Sequence, residues 1–137
     1  MKIKLEPWAY MPERAHATDA GADLRAPHDV TIMPKRSVVI DTGVHIELPP
    51  NTMGVLKSKS GLNVKHDITT VDGVIDVGYT GSIAVKLFNH SDKPYKLKAG
   101  DKISQLVIVP ILTPNFELVD ELDETERGNG GFGSTGR

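Results

Sequence analysis

Nine prolines and thirteen glycines break this 137-residue chain every ten or so residues into short stretches rich in Val, Ile and Thr. A chain interrupted that often cannot sustain helices of ordinary length, because proline removes a backbone donor and glycine weakens any regular element it enters. β-Branched residues between such breaks suit pleated strands, so the spacing predicts an all-β barrel or sandwich. Strands are expected near the amino terminus at residues 1–7 and at Val38–Ile40, Gly43–Leu48, Ser82–Phe88 and Ile103–Val109. The second and third internal runs alternate polar and apolar residues with the period of two that a half-buried strand shows. Turns are expected at Pro49–Asn51, His90–Pro94 and Ala99–Asp101, and Phe116–Val119 offers one further strand beyond Pro110 and Pro114. Helical periodicity is confined to a short turn from about Ser60 to Lys65.

Lys and Arg number 16 against 18 Asp and Glu, a net charge of -2. No general field therefore draws the chain to nucleic acid or to a membrane, and any anion site must be local. Cysteine is absent, which excludes a disulfide scaffold and zinc–thiolate chemistry. The amino-terminal residues lack the apolar core of a signal peptide, and the longest apolar run, Leu106–Leu112, is far shorter than a membrane span. These features fit a cytoplasmic home.

Residues 127–137 hold five glycines, two arginines and one aromatic ring. Such a segment cannot build a core, but its unhindered backbone amides, arginines and hydroxyls can wrap a polyanion while Phe132 stacks on a base. The organisation expected is a folded unit over residues 1–126 followed by a tail, 127–137, that is either a loose solvated end or a lid that closes over a ligand. Gly128 to Gly133 formally match G-x-G-x-x-G, yet no βαβ unit accompanies them, so a dinucleotide fold is excluded.

Three internal stretches carry groups suited to chemistry. In Gly73-Val74-Ile75-Asp76-Val77-Gly78-Tyr79-Thr80-Gly81 a carboxylate follows apolar residues, which fits either an Asp that serves a β-turn through its own backbone hydrogen bonds or an acid held against a wall. Partial burial raises a carboxylate's affinity for protons and suits a general base acting on water. Lys57-Ser58-Lys59-Ser60-Gly61-Leu62 places two ammonium groups and two hydroxyls at a helix start without the Walker spacing. Asp19 and Asp23 flank Gly21 too sparsely for a calcium loop, and support at most a magnesium ion held through waters and substrate phosphates. The five histidines are scattered, with no pair spaced for a metal and no nucleophile motif beside them.

In their order these stretches resemble the five motifs of the trimeric dUTPase family, enzymes that hydrolyse dUTP to dUMP and pyrophosphate. The motifs correspond to Ala20–Leu24, Lys59–Leu62, Gly73–Gly81, Gly100–Leu106 and Arg127–Gly136, and Thr42-Gly43 and Val107–Pro110 also fit. The resemblance implies a jelly-roll-like β-barrel forming a homotrimer with three shared sites. It implies that Asp76 is the base that activates water for attack on the α-phosphorus, and that Asp23 holds Mg²⁺ through water. It places Lys59, Ser60, Gly61 and Gln105 on phosphate oxygens, and Tyr79 against the deoxyribose where a 2′-hydroxyl has no room. Backbone groups around Val74, Ile75 and Ala84 would pair with the uracil edge. Phe132 would stack on the base, while Arg127, Gly133, Ser134 and Thr135 help clamp the phosphates as the tail closes.

The chain departs from the family pattern at two positions. Lys59 stands where arginine is usual, keeping the charge and losing the planar fork. Thr70 stands where some members have asparagine, and its contact to the nucleotide is the weaker expectation for it. Two other functions share the frame: a dCTP deaminase of the same barrel, which needs a glutamate that the third motif lacks, and a nucleotide-controlled regulatory protein with a partner that the sequence does not name.

Overall fold

The computed structural model of the chain describes residues 1–131, and Phe132, Gly133, Ser134 and Thr135 of the tail lie outside the described residues. Among the described residues, eleven strands and one short helix follow one another. In chain order they are β1 (Lys2–Leu5), β2 (Gly21–Arg25), β3 (Val30–Ile32), β4 (Ser37–Asp41), β5 (Val44–Glu47), β6 (Thr52–Lys57), α1 (Ser60–His66), β7 (Ile68–Thr70), β8 (Gly73–Ile75), β9 (Ala84–Asn89), β10 (Tyr95–Leu97) and β11 (Lys102–Pro110). Every pairing is antiparallel. The larger sheet runs β2-β11-β6-β8, a second runs β4-β9-β7, and β1-β5 and β10-β3 form two-stranded ribbons. This is the all-β architecture that the punctuation predicts, in the jelly-roll-like form that the family resemblance implies.

The core lies between the sheets. Ile40 of β4, Val85 and Leu87 of β9 and Ile68 of β7 meet Leu24 of β2, Ile103 and Leu106 of β11 and Leu56 of β6, all buried. Alternation is clean in β9, where Val85, Leu87 and Asn89 point inward and Ala84 and Lys86 outward. Asn89 is a polar side chain with no exposed surface, and its amide is fully used. It donates to the carbonyls of Ile32 at 3.0 Å and Lys93 at 2.8 Å and accepts from the Ser91 N–H at 2.9 Å, which fixes the 90–94 turn from inside.

The helix spans Ser60–His66, one residue beyond the expected turn, and stops where Asp67 takes a left-handed conformation at φ 55°. Lys65 and His66 occupy its last turn, where positive charge favours the helix end. The further strand expected at Phe116–Val119 does not form. After Pro110 the described chain is irregular, with Leu112, Phe116, Leu118 and Leu122 almost wholly exposed. Among the described residues no strand edge pairs with Phe116–Val119, and a strand cannot stand without a partner.

Leu87 sits at the centre of β9, joined to Val38 of β4 on one side and Thr70 of β7 on the other. Leu87→Ala should lower unfolding stability by about 2–5 kcal/mol through lost burial and the cavity left behind. Urea unfolding followed by circular dichroism measures this, and a loss near zero would show that the two sheets do not close on this residue.

Candidate active site

Two groups of residues converge on the open side of the β2-β11-β6-β8 sheet. In the first, Asp23 of β2 and Lys57 of β6 stand opposite Gln105 of β11 in one cross-strand row. Gly21 makes room for this row, since a Cβ there would lie 2.3 Å from the Gln105 side-chain oxygen. Gln105 donates from Nε2 to the Ser58 carbonyl at 3.0 Å and so ties β11 to the segment that enters α1. Asp23 is only 4% exposed. One of its oxygens meets the Lys59 ammonium, and the other lies 2.7 Å from Lys102 Nζ. Two cations on one carboxylate leave a net positive charge beside Ser60 and Gly61, which form the first turn of the helix.

Burial works against the ionised Asp23 carboxyl, but hydrogen bonds from Lys102 and Lys59 outweigh it and hold the pKa below the ordinary carboxylate value. No cluster of three or more His, Asp or Glu side chains forms a metal cage among the described residues. This donor set does not fit an ion held by the protein alone. Each Asp23 oxygen meets one ammonium group and keeps a further lone pair, which is where a water of an ion arriving with a ligand would bind.

The second group lines a cavity of about 240 Å³ formed by Gly73, Val74, Ile75, Asp76 and Tyr79 together with Leu56, Ser82, Ile83 and Ala84. One wall is β8, the outermost strand of its sheet, whose far edge carries backbone donors and acceptors that no neighbouring strand of the sheet uses. Tyr79 donates from its hydroxyl to the Ser82 carbonyl at 3.0 Å, and its ring covers Gly81. Gly78, at φ +92°, makes the bend that brings the ring back over the chain.

Several sequence expectations meet a different geometry. Asp76 follows the buried Ile75, but the chain leaves the strand at this point and the carboxyl is exposed, not held against a wall. Thr70 points inward: its hydroxyl donates to Ser104 Oγ at 3.2 Å and its N–H to Ser58 Oγ at 2.9 Å, away from the cavity. Arg127 is exposed and turns back on its own segment, donating from Nε to the Gly130 carbonyl at 2.9 Å. The sequence assigns Lys102 no role although it lies inside the Gly100–Leu106 motif, since only folding brings it to Asp23.

Residues 8–136 match the dUTPase family pattern. The chain belongs to the dUTPase family. It is 47% identical over 135 residues to the deoxyuridine 5′-triphosphate nucleotidohydrolase of Gloeothece citriformis, covering 97% of this chain and 93% of that one. It is 45% identical over 140 residues to the enzyme of the same name from Clostridium tetani, covering 100% and 97%. Among solved structures, the dUTPase of Staphylococcus bacteriophage 80alpha with dUPNHPP superposes with a TM-score of 0.93 at 34% identity, over 99% of this chain and 98% of that one. A dUTPase mutant from phage phi11 of S. aureus, described for its coordination of a structural Mg(II) ion, superposes with a TM-score of 0.84 at 31% identity over 90% and 98%. As a dUTPase this chain is an enzyme, and among its described residues no helix is long and apolar enough to cross a membrane.

Because the folded state lowers the Asp23 pKa, the carboxylate contributes stability above the unfolded value of about 3.9, and that contribution disappears as pH falls through the lower folded value. In this dUTPase, Asp23→Asn should cost about 1–3 kcal/mol at neutral pH, since it removes a charged acceptor from two buried hydrogen bonds. The deficit should shrink below about pH 4. Urea titrations at neutral and acid pH test this, and a gap independent of pH would show that the lysines do not stabilise the ionised acid.

Proposed function

We propose that this dUTPase hydrolyses dUTP at the α-phosphorus to dUMP and pyrophosphate, with Asp76 as the general base. The observation that carries the reading is the cavity walled by the free edge of β8 and by Tyr79, with Asp76 among its lining residues. Backbone groups of Val74, Ile75 and Ala84 pair with the uracil edge. Tyr79 packs on the sugar and leaves no space for a 2′-hydroxyl, which selects deoxyribose by steric exclusion.

The triphosphate extends toward Lys59, Ser60, Gly61 and Gln105, where the surplus cation and neutral donors meet its oxygens. Mg²⁺ arriving with the triphosphate would spread charge over the phosphates, and Asp23 is the residue that would hold it through water. Lys59 turns from the Asp23 carboxylate to a phosphate oxygen. Lys102 stays on Asp23 and keeps the vacated carboxylate paired. Thr70 supports the floor from inside through Ser58 and Ser104 and does not touch the nucleotide.

Asp76 accepts a proton from water as the water oxygen bonds to the α-phosphorus and the bond from that phosphorus to the bridging oxygen breaks, releasing pyrophosphate. The exposure of Asp76 in one subunit and the uncovered Leu112, Phe116, Leu118 and Leu122 support a homotrimer in which a neighbour covers both. The tail from Arg127, with Phe132, Gly133, Ser134 and Thr135, closes over base and phosphates.

Asp76→Asn should retain dUTP binding and lose pyrophosphate release by a factor of about 10² or more. Undiminished release would remove Asp76 from the role of base. A chain ending at Glu126 should sediment as a trimer, like the full chain, yet fall sharply in kcat, because closing contacts form mainly around the reacting phosphates. A monomeric full chain, or a shortened chain of unchanged kcat, would overturn the shared-site and tail assignments respectively.

A further inference from the structure

Of the residues behind the loop that carries Tyr79, the family resemblance takes in only Thr42-Gly43. Residues 76–83 run without regular pairing between β8 and β9, so the position of the ring depends on what holds the loop from behind. The turn between β4 and β5 does this at three successive levels. Asp41, the last residue of β4, accepts with one carboxylate oxygen both the Ser82 hydroxyl and the Gly43 N–H, the latter at 3.0 Å. Those two hydrogen bonds outweigh a small desolvation and hold the Asp41 carboxyl below the usual carboxylate range.

Thr42, wholly buried, donates from its hydroxyl to the Ile83 carbonyl at 2.7 Å. His45 of β5 lies with Nδ1 2.8 Å from the Thr80 carbonyl. A carbonyl only accepts, so this nitrogen carries the hydrogen. The other ring nitrogen, Nε2, lies 3.2 Å from a Glu6 carboxylate oxygen and has no hydrogen-bond partner among the described residues.

The same short stretch receives Tyr79. Its hydroxyl donates to the carbonyl of Ser82, whose side chain Asp41 grips, while His45 grips the residue next to the ring. A Cβ on Gly81 would fall 2.5 Å from the Tyr79 hydroxyl oxygen, so the ring is pressed onto the backbone that these two residues anchor. Excluding one hydroxyl from a sugar demands a wall that does not retreat, and a displacement of about 1 Å suffices to change a rate a hundredfold.

We propose that Asp41 and His45 are positioning residues for substrate specificity: by fixing Ser82 and Thr80 they hold the Tyr79 ring where it rejects a ribose 2′-hydroxyl. The inference rests on the proposed function, in which Tyr79 faces the sugar. Neither residue lines the cavity, and each acts through the loop.

The test compares kcat/KM for dUTP and UTP in the unaltered chain, Asp41→Ala and His45→Ala, with Asp41→Asn and His45→Gln as conservative partners that keep an acceptor and a donor. Each alanine variant should lower the dUTP to UTP ratio by about tenfold or more, chiefly by raising UTP turnover, while the conservative variants stay within about threefold. Ser82→Ala, which removes one hydroxyl and leaves Asp41 in place, should move the ratio in the same direction even where Asp41→Ala folds poorly. A ratio that stays constant, or that falls solely through slower dUTP turnover, would make these residues structural supports and overturn the inference. Loss of dUTP hydrolysis by the unaltered chain is a separate result, which overturns the proposed function beneath it as well.

Discussion

The pairing of β11 with β2 on one side and β6 on the other is the constraint on which the rest of the molecule depends. With Leu106 buried opposite Ala22 and Leu56, the neighbouring row of Asp23, Gln105 and Lys57 is forced to the other face. A slip of one residue would turn Gln105 into the core and Leu106 out, sacrificing about 1.5–3 kcal/mol of leucine burial and exposing an unsatisfied amide to the interior. A bulge between Lys102 and Ser104 adds a residue, so that Ile103 and Ser104 are both buried and Lys102 is left at the sheet end within reach of Asp23. Hydrophobic packing on one side of the sheet thus places charges on the other.

That placement explains how a chain of net charge -2 carries a site for a highly negative ligand. Two ammonium groups share one carboxylate, so one positive charge is always in excess, and the carboxylate prevents the cations from drifting apart before a ligand arrives. Groups held in place beforehand need little rearrangement when charge develops near them. The cavity beside β8 is built on a different principle, from an edge strand and a single ring, and on the proposed reading it takes the nucleoside by shape and backbone groups in place of charge.

Much of this was readable in the sequence, for physical reasons that differ by element. Strands β5, β9 and β11 are long or regular enough for alternation to show, and the proline and glycine breaks mark their ends. Strands β3, β7, β8 and β10 have three residues each, too few to display a period, and form because partners are already in place. The expected strand at Phe116–Val119 has strand-like residues but no edge to join within the subunit. At the site, the motifs and their order identify the family, but residue types do not report direction. Thr70 turns inward because its strand alternates that way, and Asp76 is exposed because the chain leaves the sheet there. Asp41 and His45 belong to no motif, and a sequence offers no sign that they reach Thr80 and Ser82.

Gly81 carries a consequence for how a dUTPase of this kind can vary over generations. The ring beside it occupies the volume that any other amino acid would fill, so even alanine would displace the tyrosine from its seat. On the proposed reading, discrimination between two sugars that differ by a single oxygen depends on the lack of a methyl group one turn away. Drift at that codon would cost fidelity before it cost the fold, since the barrel's apolar interior does not include this position.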